Sequence, residues 1–358
     1  MKKQFQIFIF SFLTIIQIST SVAQGTSVIN DYPDFSATEG GVDSPATIFN
    51  TLRQANLLKI TIDTDLDNLI DNRKKDDYQD AELTIFSKDG PEQHKVRLKP
   101  RGKFRRRTCD FPPLKVKFNK SELAERGIST SHKSLKLVTH CMDDEVSQQS
   151  VLKEYAAYKM YNEITEASFN IQLVEITYKN SAKNTEEDVK YGFFIEDTGE
   201  IVDRIGGGVV EERYNISLDS ISKRYSHLIP MFQFMIANMD WRPRMLQNIK
   251  VIKKENGERI MIPYDFDFSG LVDASYAVPN IDFKQTDIRQ RLYMNKVDNL
   301  NELAPTIRFF QLHKAEVIKC ISDCQYLTKK NRKNLTKYIN AFFTIINSDE
   351  LATAAFVK

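Results

Sequence analysis

Long apolar runs are nearly absent from this 358-residue chain. The exception lies at its start, where Lys2 and Lys3 precede an apolar stretch from about Phe5 to Ile18 and Ser21-Val22-Ala23 comes before Gln24. That is the make-up of a cleavable secretory signal over residues 1–23. No Cys follows it, which argues against a lipoprotein anchor, and no later run approaches the roughly 20 residues of a membrane-spanning helix. The protein is therefore expected to be periplasmic or secreted. Net charge is scarce as well: without Lys2 and Lys3 the formal value falls from +2 to zero, which argues against a nucleic-acid partner held by phosphate neutralisation. Histidine is sparse. His94, His132, His140, His227 and His313 show no metal-ligand spacing, and no Ser lies in a Gly-x-Ser-x-Gly elbow, so zinc and serine hydrolases fit poorly. Internal repeats and low-complexity segments are missing too.

Cysteines number four, an even count suited to an oxidising compartment. Cys109 and Cys141 flank segments that read as neighbouring strands, so a bridge between them is expected. Cys320 and Cys324 stand at i and i+4 on a helical pattern, where two side chains must bend toward each other to bond.

Without the signal, about 335 residues remain, more than one small core usually serves. Residues 24–50, rich in Ser, Thr, Gly, Asp and Pro, read as an extended lead-in. Strands follow at Leu58 to Asp63, Ala81 to Ser87, Lys95 to Lys99, Leu114 to Phe118 and Leu135 to Val138. A helix is expected from about Ser147 to Ile164, then strands at Ile171 to Tyr178 and Val189 to Ile195. From Ser217 the pattern turns mainly helical, with a terminal helical block from about Glu302 to Ile346. A β-rich part (51–200) thus precedes a helical part (201–358).

The segment from Asn238 to Gly270 carries the chemistry. Asn256-Gly257 is a strong hairpin signal, and a two-residue type I′ turn there pairs Glu255 with Glu258 and sets Asn248 opposite Asp265. Asp240 lies just before the first strand and Asp267 just after the second. Three carboxylates and a carboxamide then converge where the backbone leaves the sheet, the layout of a magnesium-nucleotide site. Trp241, Pro243 and Tyr264 beside them read as packing, or as the wall of the cleft. The bland alternative is that these acids cap turns or hold calcium. A glycosidase also uses paired carboxylates, but needs no amide at the hairpin mouth.

Elsewhere, strand period puts Leu114, Val116 and Phe118 on one face and Lys115 and Lys117 on the other. Glu154 lies on the helix that follows. Arg101, Lys103, Arg105, Arg106 and Arg107 surround Gly102 in a dense cationic turn, suited to nucleotide phosphates or, as a basic surface, to acidic substrate or anionic lipid. Gly206-Gly207-Gly208 reads as a mobile linker or lid.

Three blocks together resemble the CotH (spore-coat protein H) kinase-like family of secreted bacterial proteins. They are Val96-Arg-Leu-Lys-Pro-Arg-Gly102 with Pro113-Leu-Lys-Val-Lys-Phe118, the element ending in Tyr191-Gly-Phe-Phe-Ile-Glu196, and the block Asp240 to Gly270 with its Asn-x-Asp, later Asn, then Asp-x-Asp order. The resemblance implies an α+β, atypical protein-kinase-like, two-lobed fold, with a β-rich N-lobe and a mainly helical C-lobe carrying a hairpin. It also implies transfer of phosphate from ATP, with magnesium or manganese, to Ser hydroxyls of envelope or secreted proteins. Asp240 would be the catalytic residue, and Asn248 with Asp265 or Asp267 would hold the metal. Lys115 or Lys117 would reach the phosphates, positioned by Glu154, with Arg101 and Glu196 as further nucleotide contacts. The step from Asp240 to Asn248 is longer than in ordinary kinases. The rival readings are a non-catalytic relative that binds an envelope or surface partner, and a calcium-stabilised structural protein. Mass spectrometry of the exported protein is expected to find Gln24 at its N-terminus; a retained Met1 would overturn the export reading.

Overall fold

A computed structural model describes residues 45–358 apart from 55, 56, 184, 187, 188 and 213. The signal segment and most of the lead-in lie outside the described residues. The strands are β1 (Leu58–Thr64), β2 (Gln79–Ser87), β3 (Gly90–Pro100), β4 (Leu114–Phe118), β5 (Ser134–Val138), β6 (Ile171–Asn180), β7 (Thr185–Glu186), β8 (Lys190–Ile195), β9 (Val209–Val210), β10 (Ile249–Lys253) and β11 (Arg259–Pro263). Between and after them come α1 (Ile48–Leu52), α2 (Leu66–Asp71), α3 (Arg105–Thr108), α4 (Lys120–Glu125), α5 (Glu145–Ile164), α6 (Thr198–Arg204), α7 (Lys223–Ile236), α8 (Ala304–Leu312), α9 (Lys314–Asp323), α10 (Lys329–Ile346) and α11 (Asp349–Phe356).

Alternation of apolar and polar residues gives the early strands one inward face, and Ile60, Leu83, Leu98, Val116, Leu135 and Ile176 all join a single buried cluster. Seven strands bring them together in the ring β1-β2-β3-β4-β5-β8-β6, which β1 closes by running parallel to β6 with Ile60 opposite Ile176. Every other pairing in the ring is antiparallel. The expected two-lobed, kinase-like architecture is therefore incorrect: the chain forms a closed, mixed seven-stranded barrel with helices, not an open β-rich lobe. Strand period shows which side of a strand is buried. It carries no signal that the first strand reaches β6, far downstream, and that pairing abolishes the sheet edges an open lobe would leave.

Helix α5 packs against β6, β8 and α9, and is buried along most of its length, including at Glu154. The Cys109–Cys141 disulfide spans 32 residues and fastens the end of α3 to the segment after β5. Cys320 and Cys324 are free and buried. No helix among the described residues is long and apolar enough to cross a membrane.

The hairpin β10–β11 has a different register from the expected one. Lys253 lies opposite Arg259 and Ile249 opposite Pro263, and Lys254 N–H donates to Glu258 O. The loop thus holds three residues, with Gly257 at φ +84°, a type I turn closed by a left-handed glycine. A glycine can serve either turn, so the dipeptide Asn-Gly fixed the place of the hairpin and left its register open. The glycine run 206–208 is the turn that leads into β9, which pairs with β10, so its role is structural joining.

Losing a loop closure of this length should cost about 3–4 kcal/mol. The doubly substituted Cys109→Ala/Cys141→Ala protein is expected to unfold at correspondingly lower urea, and an unchanged midpoint would show that the bridge constrains nothing.

Candidate functional site

Two segments form the site, and the end of α7 sets the first. Ala237 takes up a left-handed conformation (φ 52°), and Asn238 N–H donates back to Gln233 O at 2.8 Å. This is a Schellman termination with alanine where glycine is usual, and it turns the chain sharply into Asn238–Asp240. The second segment is pinned to the first: Asn238 pairs with Ser269, while Gly270 N–H donates to Ala237 O and Leu271 N–H to Ile236 O, both at 3.0 Å. A Cβ on Gly270 would fall 2.5 Å from Ile288 O, so the close of the Asp265-Phe-Asp-Phe-Ser-Gly block must be glycine. Between the two acids, Phe266 is fully buried against Tyr158 and Phe232, with ring centres 4.6 and 5.5 Å away.

Five non-glycine residues of this block, Ala237, Leu246, Asn248, Asp265 and Asp273, have left-handed backbone. Each costs on the order of 1 kcal/mol, and such strain concentrates at functional sites. Asn248 and Asp265 are two of the five, one at each leg of the hairpin's open end. The expected pairing of Asn248 with Asp265 is corrected by one residue, since Tyr264 N–H donates to Asn248 O at 3.1 Å. A slip of one would ordinarily send alternate side chains to opposite faces. Here both residues have already left the strands, and their left-handed turns bring them to the same neighbour, Asp240.

Asp240 accepts from Gln247 Nε2 at 2.5 Å and from Asn248 Nδ2 at 2.9 Å. Burial, and then the charge of Asp265, push its carboxyl up to about 6. Asp267 is buried and accepts from the Tyr276 hydroxyl at 2.8 Å; burial and Asp265 raise it to about 7. Glu154, 2% exposed, is held well above the usual carboxylate range by burial, Asp267 and Asp265, and its Oε1 has no hydrogen-bond partner. The backbone N–H of Asp265 donates to the Tyr158 hydroxyl at 2.8 Å.

Two kinds of cation answer these acids. Arg105 is buried, donates to Thr139 O, and interacts with Asp267, Glu154 and Asp265. Lys136, on β5, sits with its Nζ 5.2 and 5.1 Å from the ring centres of Phe169 and Tyr264. Burial, followed by Arg101 and Lys250, lowers its ammonium to about 7, against the pull of Asp265.

The structure thus brings together Asp240, Asn248, Asp265, Asp267, Glu154 and Arg101. It does not join Glu154 to either expected lysine. The acid lies with Asp267 and Arg105, because α5 turns it into the interior while Lys115 and Lys117 occupy the outside of the barrel. Lys115 stands opposite Lys136 across β4 and β5, and Lys117 lies over Tyr78. Glu196 lies outside the group, tied to Asn170 and to Arg204 at 2.6 Å. Trp241 is buried packing. Sequence reasoning missed Lys136, Gln247, Tyr158 and Tyr276. Lys136 alone had a visible signal, a cation alternating with the apolar residues of β5.

Among the described residues, no three His, Cys, Asp or Glu side chains close on a common point as a resident metal demands. Magnesium asks for less, since one or two carboxylates suffice when phosphates and water complete its shell. The unpartnered buried oxygen of Glu154 and the crowded, raised acids Asp240 and Asp267 are what a divalent cation would relieve, so the donor set fits. No protein-family model and no curated protein matches this chain.

The depressed Lys136 has a stability signature. Its folded value near 7 lies below the ordinary 10.5, so between those limits the unfolded chain binds more protons and stability rises with pH. That stability is fully present above the ordinary value and is lost as pH falls through about 7. Lys136→Met should remove this rise, up to about 1.4 kcal/mol per pH unit. Urea melts of parent and variant from pH 7 to 10 measure the difference, and parallel curves would refute it.

Proposed function

We propose that this chain transfers the terminal phosphate of ATP, taken up with magnesium or manganese, to serine hydroxyls of exported or envelope proteins. The observation that carries the reading is the place of Asp265, whose charge acts both on the acids Asp240, Asp267 and Glu154 and on the cations Lys136 and Arg105. A metal-nucleotide needs both signs within one site: oxygen ligands for the cation and fixed positive charge for the phosphates. A bound divalent ion would bridge phosphate oxygens and neutralise the charge that develops on transfer. Asp265 and the side-chain oxygen of Asn248 would hold it, with Asp267 behind them. Lys136 and Arg101 supply positive charge in the same group.

Asp240 fits the role of orienting the acceptor hydroxyl and taking its proton. Gln247 and Asn248 fix its two oxygens, and a carboxyl near 6 is ionised at neutral pH yet more basic than an exposed one, as a general base should be. The acceptor class comes from the CotH-like order of Asp240, Asn248, Asp265 and Asp267. The chemistry does not require a kinase fold, since function resides in the site.

ATP with Mg²⁺ is expected to raise the melting temperature of the purified protein, because a ligand that binds only the native state stabilises it by about 2.7 kcal/mol at a hundredfold excess over Kd. Asp265→Ala should abolish that shift. Asp240→Ala should keep it while transfer to dephosphorylated casein falls by roughly 10²–10⁴-fold. No shift for the parent at millimolar ATP would sink the proposal.

A further inference from the structure

The outer wall of the barrel beside the site carries an unusual row of cations. Lys99 on β3 lies directly opposite Lys115 on β4, and Lys115 directly opposite Lys136 on β5; one step along, Arg97 lies opposite Lys117. The intervening Leu98, Leu114, Val116, Leu135 and Leu137 fill the barrel, so all five cations share the outer face. Like charges in direct cross-strand opposition are destabilising, and folding alone gives no reason to align them.

The chain itself shows what this wall takes. The loop before β2 lies across it with Asp76 and Tyr78. Asp76 pairs with Lys99 at 3.0 Å. The Tyr78 ring lies under Arg97, Lys99 and Lys117, which stand 5.1, 5.1 and 5.4 Å from its centre. Arg106 holds the loop by donating to the carbonyls of Arg73, Lys74 and Lys75. One stretch of acid and aromatic residue thus satisfies one end of the row. Toward the site the row lacks carboxylate partners: Lys115 and Lys117 form no ion pair among the described residues, and Lys136 ends the row beside Asp265.

We infer that this wall is a docking track for an acidic, extended polypeptide segment, which continues from Tyr78 along Lys117 and Lys115 toward Lys136. An extended partner suits it because the cations form one row across three neighbouring strands about 4.8 Å apart, and the row ends at the acids. The inference rests on the proposed transferase reading in one respect, that the captured segment belongs to the acceptor protein. Binding of such a segment is measurable without any transfer.

The probe is a fluorescein-labelled peptide of alternating Glu and Ser with one Tyr, followed by anisotropy without nucleotide. The protein is expected to bind it in a salt-dependent manner and to ignore a Lys/Ser peptide of the same length. Lys115→Glu/Lys117→Glu should weaken binding at least about tenfold, the effect of 1.4 kcal/mol. The matched charge change Lys329→Glu/Lys330→Glu, on an exposed turn of α10, should leave it unchanged. If the double glutamate variant misfolds, Lys115→Gln/Lys117→Gln serves in its place. Equal weakening by both pairs, no preference over the Lys/Ser peptide, or cosedimentation with phosphatidylserine vesicles in place of peptide binding would overturn the track. Loss of the track with transfer to casein intact would leave the transferase reading standing, and peptide capture without any transfer would do the reverse.

Discussion

Four carboxylates do not share a water-poor site without a positive charge among them, and that requirement governs much of this molecule. Burying an ion costs several kcal/mol even after relaxation, so the buried Asp267 and Glu154, beside the half-buried Asp240 and Asp265, need a fixed counter-charge. Arg105 supplies it. To hold a guanidinium there, the chain ends β3 in a cationic turn, caps it with α3, and ties it to Thr139 by a hydrogen bond and to Cys141 through Cys109. Asp240 and Asp267 stay raised, by burial first and then by the charge of Asp265.

The barrel explains why the two signs meet. Its closure through β1 and β6 gives β3, β4 and β5 a fully covered inner face, which leaves their outer face free to carry charge. The same strands end at the site, where Lys136 on β5 reaches under Tyr264 of the hairpin. A continuous sheet therefore joins the cationic wall to the acids, and α5 closes the group from within by turning Glu154 inward.

Much of this was legible in the sequence at the level of elements. The strand Leu114–Phe118 was expected with its observed bounds, and the long helix, the hairpin and the terminal helices lie where periodicity and turn residues put them. The Cys109–Cys141 bridge followed from spacing and neighbouring strands. What escaped was non-local. Closure of the barrel depends on a pairing between distant strands, and no local pattern announces it. The hairpin register turned on whether Asn256-Gly257 makes a two- or three-residue loop, which the dipeptide leaves open. Glu154 was recognised but paired with the wrong cation, because helix period does not say which side faces a barrel and which a buried arginine. The acids converged all the same, since left-handed turns at Asn248 and Asp265 undo the slip.

The disulfide has a consequence in time. Before Cys109 and Cys141 join, the Arg105 turn is held by noncovalent contacts alone: the hydrogen bond to Thr139, the bonds of Arg106 to the loop before β2, and Phe104 against Phe268 and Tyr276. In a copy folded among reducing thiols, the counter-charge of Arg105 would rest on those contacts without the covalent tie. Oxidation would complete the assembly without any ligand or partner. The covalent link thus converts the redox state of the surroundings into the firmness with which one positive charge is held.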